Sequence, residues 1–120
     1  MAGRTGKAVR GVLWALAAVL MWQGVAVAGS QCGRASWYSL PGQRTANGER
    51  MDPAAMTAAH KTLPMGTLVT VTRQDTGRSI RVRINDRGPY VDGRIIDLTH
   101  EGGRALGILQ SGTAKVCISW

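Results

Sequence analysis

Carboxylates carry most of the chemistry open to this chain. Asp86 sits in Arg83-Ile84-Asn85-Asp86-Arg87-Gly88-Pro89-Tyr90, where alternating apolar and basic residues run into a Gly-Pro turn. A strand end holds a side chain rigidly yet leaves it within reach of a ligand. Asp97 follows inside the apolar run Arg94-Ile95-Ile96-Asp97-Leu98, while Glu49 and Asp52 bracket the start of a short proline-led segment. Carboxylates converging on one groove break glycosidic bonds. One of them gives a proton to the bridging oxygen, which requires burial or a neighbouring negative charge to raise its pKa. Arg87 would oppose that shift, but alternation along a strand lets Asp86 face the groove while Arg87 faces out.

Other chemistries find less support. His60 and His100 are the only histidines and stand far apart, so no metal is expected. No Gly-x-Ser-x-Gly stretch occurs, and Gly102-Gly103-Arg104 opens no phosphate loop. Each candidate also has a purely structural reading. Asp52 can be a helix cap, Asp97 a buried aspartate satisfied by backbone amides, Glu49 a solvated loop residue and His60 a packing histidine.

The elements that must position these residues are short. Ala35–Tyr38 reads as a strand, followed by a Gly-, Pro- and Asn-rich loop from Ser39 to Gly48. Asp52-Pro53-Ala54-Ala55-Met56 predicts one helical turn, with a cap residue and proline at the first helical position. Thr67–Thr72 alternates, Val69 and Val71 on one face, and Ser79–Asp86 turns Ile80, Val82 and Ile84 inward with Arg81 and Arg83 outward. Gly93–Leu98 predicts a buried strand, Thr99–Leu106 a helix and Lys115–Trp120 a last strand. Many short strands with closely spaced turns and little helix predict a small β-barrel.

The chain has 120 residues, enough for one domain. Arg4, Lys7 and Arg10 precede an uncharged run over residues 11–28 that ends in Ala26-Val27-Ala28, the pattern of a cleaved export signal. A retained membrane anchor and a lipid-modified Cys32 are the alternatives. The expected organisation is therefore a signal peptide over 1–28 and one domain over 29–120. Its size limits the surface it can bury, so a staple helps. Cys32 and Cys117, near opposite ends of an exported domain, are expected to form a disulfide. Bases exceed acids, 15 Lys and Arg against 7 Asp and Glu. That excess fits either a solvated surface tuned for solubility or attraction to polyanions at the cell surface, where cell wall with its peptide carboxylates fits better than nucleic acid.

Five stretches together closely resemble the bacterial rare lipoprotein A family. They are Ala35-Ser36-Trp37-Tyr38, Arg44-Thr45-Ala46-Asn47-Gly48-Glu49, Thr57-Ala58-Ala59-His60-Lys61-Thr62-Leu63-Pro64, Asn85-Asp86-Arg87-Gly88-Pro89-Tyr90 and Gly93-Arg94-Ile95-Ile96-Asp97-Leu98. The resemblance implies a six-stranded double-psi β-barrel and a lytic transglycosylase that cuts peptidoglycan glycan strands to 1,6-anhydro ends. The alternatives are a non-catalytic, expansin-like glycan-binding module and a peptidoglycan hydrolase. The resemblance also implies a catalytic set of Asp86, Glu49, Asp52 and His60. There Glu49 and Asp52 raise the proton affinity of Asp86 by like-charge proximity, and His60 orients one of them. Trp37, Tyr38, Asn47 and Asp97 are expected to bind substrate. Ser39-Leu40-Pro41-Gly42 replaces the glycine and aromatic residues usual after the first motif. No cofactor and no nucleic acid are expected. A monomer in the periplasm or cell envelope is expected, touching the membrane only through the signal segment or a lipid on Cys32.

Overall fold

Val69, Val71, Val82, Ile84, Val116 and Ile118 are all buried, and each alternates with a residue turned outward. This period of two closes a sheet around an aliphatic core. The computed structural model describes residues 28–120, and residues 1–27 of the expected export signal lie outside the described residues. The strands are β1 (Ser30–Trp37), β2 (Thr57–Ala59), β3 (Leu68–Arg73), β4 (Ser79–Asp86), β5 (Arg94–Leu98) and β6 (Thr113–Ser119), with one helix, α1 (His100–Leu106), between the last two. They close in the order β1-β5-β2-β4-β3-β6, with β6 returning to β1. The pairs β1/β5 and β2/β4 are parallel and the others antiparallel. This is the six-stranded double-psi barrel that the resemblance implies, and its closure leaves no long free edge.

Ile96, Leu98, Leu106 and Ile108 complete the core, each fully buried. Thr99 caps α1, its hydroxyl accepting from the Gly102 amide at 3.2 Å, and Gly107 ends the helix in the left-handed region at φ 80°. Gly103 is where the helix meets β1, since a Cβ there would lie 3.0 Å from the Cβ of Trp37. Cys32 and Cys117 face each other across β1 and β6 with Cα atoms 4.0 Å apart and are joined in a disulfide. Closing a separation of 85 residues stabilises the fold by up to roughly 4–5 kcal/mol in the chain-entropy account.

Three elements differ from expectation. β1 starts at Ser30 rather than Ala35, because pairing with β6, not local alternation, orders Ser30–Arg34. Asp52–Met56 is a turn and not helical: the Pro53 carbonyl accepts from the Glu101 amide at 2.9 Å and the Ala55 carbonyl from the Thr99 hydroxyl at 2.6 Å. Those tertiary bonds take carbonyls that a helix would use. Thr57–Ala59 is a strand, three buried residues wedged between β4 and β5.

Candidate active site

Asp86 ends β4, and its carboxylate is held by three donors. Oδ1 accepts from the backbone amides of Ala46 and Arg87, both at 2.9 Å, and Oδ2 accepts from the Tyr38 hydroxyl at 3.1 Å. These bonds fix the carboxylate's orientation at the end of β4. Burial first, then the Asp86 carboxylate, pushes the Tyr38 hydroxyl up, so it stays a donor. Two strands over, on β5, Asp97 accepts from the Ser36 hydroxyl at 2.9 Å. Burial raises the Asp97 pKa and the nearby Asp86 charge adds to that, while Ser36 and Arg94 oppose it. Tyr38, Asp86 and Asp97 thus form one electrostatically linked group.

The loop after β1 reaches back over the end of β4. Its tip is a turn built by Asn47, whose side-chain oxygen accepts from the Glu49 amide at 3.0 Å and the Thr45 hydroxyl at 2.6 Å. The Asn47 amide bonds the Asn85 carbonyl at 3.2 Å. Glu49 is clamped by Arg83 through two bonds of 2.6 and 2.9 Å and also bonded by Asn47. Arg83 first and Asn47 second lower the Glu49 pKa to about 2. Glu49 is therefore a neighbour of the Asp86 end of β4, but its charge is matched by Arg83.

His60 follows β2, and its backbone amide bonds the Asp86 carbonyl at 3.1 Å. The ring turns elsewhere. Nδ1 accepts from the amides of Thr62 and Leu63, both at 3.1 Å, which leaves Nε2 to donate to Gln31 Oε1 at 2.9 Å. Burial, then the charges of Arg87 and Lys61, push this imidazole down toward its neutral form. It bonds neither Glu49 nor Asp52. Asp52 accepts from the Ala54 amide at 2.9 Å and so stabilises its own turn. Arg87 points away from the Asp86 carboxylate and donates to the carbonyls of His60 and Leu63 at 3.1 and 2.7 Å. Trp37 packs against α1 and lies edge-on to His100, with ring centroids 5.3 Å apart.

Several participants stand in the quoted motifs, but their roles were not visible there. Ser36, Arg83 and the Ala46 amide act on acids 34 or more residues away, beyond the reach of any local pattern. Asn85 could have been found, since it adjoins Asp86. It is 3% exposed, and its Oδ1 is the one buried side-chain oxygen or nitrogen without a hydrogen-bond partner among the described residues. Tyr90, at the end of the same motif, is 77% exposed beside Gly88.

Residues 30–118 match the family described as lytic transglycolase. The endolytic peptidoglycan transglycosylase RlpA of Vibrio cholerae is 52% identical over 91 residues, covering 74% of this chain and 35% of that protein. The probable enzyme of the same name from Synechocystis is 54% identical over 88 residues, 72% of this chain and 27% of that protein. The chain thus spans about a third of the length of these curated relatives. Among solved structures, the Streptomyces papain inhibitor shares the fold at a TM-score of 0.60 and 24% identity, over 78% of this chain and 96% of that one. An expansin from Clavibacter michiganensis matches at a TM-score of 0.60 and 26% identity, over 75% of this chain and 49% of that one. With a family match over nearly all of the described barrel, and half of the aligned residues shared with the curated relatives, the chain belongs to the lytic transglycolase family of double-psi β-barrels.

Proposed function

We propose that this protein is a peptidoglycan lytic transglycosylase working in the cell envelope, with Asp86 as the group that moves the proton. The observation that carries the reading is the Asp86 carboxylate at the end of β4, oriented by Tyr38, Ala46 and Arg87 beside Asp97. Burial and the neighbouring Asp86 charge let Asp97 keep its proton to a higher pH than an ordinary aspartate. Asp86 protonates the oxygen that links N-acetylmuramic acid to N-acetylglucosamine. As the C1–O bond breaks, the muramyl C6 hydroxyl attacks C1, and its proton passes to the Asp86 carboxylate. The products are a free 4-hydroxyl and a 1,6-anhydro ring. No water is consumed, and Asp86 ends as it began.

Within this reading Glu49 and Asn47 hold the loop that supplies the Ala46 amide, Asp52 shapes the turn before β2, and neutral His60 fixes the chain beside the Asp86 carbonyl. Asp97 and Tyr38 border the sugar. The similar relatives, named as endolytic peptidoglycan transglycosylases, support the substrate. Action in the cell envelope fits that substrate and the expected export signal. Asp86→Asn on purified sacculi is the test: release of anhydro-muropeptides should fall by at least about a hundredfold with the fold intact by circular dichroism. Full release by that variant would refute the assignment. A glycan-binding module without catalysis is the second reading, supported by likeness at 25% identity to an expansin mutant solved in complex with cellohexaose. Binding to sacculi without new chain ends would favour it, and new reducing ends would indicate a hydrolase.

A further inference from the structure

The last stretch of β4 breaks its own alternation. Val82 and Ile84 are buried with Arg83 turned out between them, but Asn85 is buried as well, directly after Ile84, and Asp86 is half-buried. A strict period of two would send Asn85 outward like Arg83 and point Asp86 into the core. The pairing with β2 shows the cause. Thr57 and Ala58 stand opposite Arg83 and Ile84, whereas Ala59 stands opposite Asp86, so one step along β2 spans two along β4. Asn85 is the extra residue of a β-bulge, a feature that re-aims side chains beside active sites.

The bulge also releases a carbonyl. In a regular parallel ladder the His60 amide would bond the Asn85 carbonyl. It bonds the Asp86 carbonyl instead, at 3.1 Å, and the Asn85 carbonyl accepts from the Asn47 amide at 3.2 Å. The preceding amide, that of Ala46, donates to Asp86 Oδ1 at 2.9 Å. Two consecutive amides of the loop thus grip two consecutive residues of β4. The side-chain amide of Asn85 adds to this grip, joining Arg83 and Asn47 in lowering the Glu49 pKa. One atom is left destabilised: Asn85 Oδ1 is buried with no hydrogen-bond partner.

We propose that Asn85 is the positioning residue of Asp86: its inward turn at the bulge faces the carboxylate away from the core and toward the sugar, and its carbonyl fastens the loop that holds that carboxylate. The proposal rests on the reading of Asp86 as the group that moves the proton, and its test includes a readout that needs no turnover. Three variants separate facing from stability alone. Asn85→Leu stays inward and keeps the bulge. Asn85→Arg must turn its charge to solvent and so carries Asp86 inward. Deletion of Asn85 makes the ladder regular and shifts Asp86 by one residue, roughly 3.3 Å, from Ala46 and Tyr38. For each, kcat and KM of anhydro-end formation are measured on isolated glycan strands, together with hydrogen exchange of the Ala46 amide.

Asn85→Leu should keep kcat and melt a few degrees higher, because the unpaired acceptor is gone. Asn85→Arg and the deletion should each lower kcat by at least about a hundredfold with KM little changed. The Ala46 amide should exchange faster in both. A purely structural Asn85 would move the melting temperature and leave kcat per folded molecule alone. Full kcat in folded Asn85→Arg or in the folded deletion overturns the proposal, as does a loss in Asn85→Leu equal to theirs. Should Asn85→Arg not fold, the deletion decides. If wild type makes no anhydro ends, the transglycosylase reading fails, and Ala46 exchange across the variants still decides whether Asn85 aims Asp86.

Discussion

Along the β1–β6 junction, the residues from Ser30 to Ser36 pair with those from Ser119 to Thr113 in unbroken register, and a disulfide crosses the middle. At the end of β4 the loop from Ser39 to Glu49 is held by individual polar contacts to Arg83, Asn85 and Asp86. The junction sends Ala35, Ala114, Val116 and Ile118 into the core, whereas that loop buries only Thr45. Burial and a covalent bond give several kcal/mol, while each hydrogen bond contributes a net of about 0.5–1.5 kcal/mol. The barrel's stability and the aiming of its acid thus reside in different parts of the chain.

That separation can be broken most forcefully at the disulfide. Replacing Cys32 and Cys117 together with serine should cost about 2–5 kcal/mol in urea unfolding while activity per folded molecule is retained. A parallel loss of activity in the folded variant would tie the two regions together. Ile118→Ala, at a side chain 1% exposed, should cost about 2–4 kcal/mol, again with activity per folded molecule retained. Tyr38→Phe sharpens the other half. Removing one donor from Asp86 should slow anhydro-end formation about tenfold, yet lower stability by no more than about 1 kcal/mol.

The smallest effects are two pH dependences of opposite sign. Glu49 has its pKa depressed from 4.5 to about 2. Its clamp on Arg83 is fully present above the unfolded value and is lost as pH falls through the folded one, so the Ala46 and Asn47 amides should exchange faster in acid. Glu49→Gln should remove that acid step. Asp97 has a raised folded pKa. Its contribution is present below the unfolded value and lost as pH rises through the folded one, so Asp97→Asn should flatten the decline that starts above the ordinary aspartate range. Thermal melts across the pH range check both.

Where the chain alternates, the fold was readable: Ser79–Asp86 is a strand over the residues expected, with Val82 and Ile84 inward. Thr57–Ala59 was not, because three buried residues leave no period to detect and only their neighbours on β4 and β5 make them a strand. The Asp52–Pro53 pair imitated a helix start, but tertiary bonds from Thr99 and Glu101 decided otherwise. At the candidate site, Asp86 was legible from its position between an alternating run and a turn. Its partners were not, since Tyr38 and Ala46 lie 48 and 40 residues away. The direction of the His60 ring was equally hidden, being set by Gln31, 29 residues away.

The last paired residues of the barrel are Gly29 and Trp120, whose backbones exchange two hydrogen bonds of 2.9 and 3.1 Å. Any polypeptide joined at either side therefore departs from a single spot. An added segment can be grafted there without being threaded around the strands.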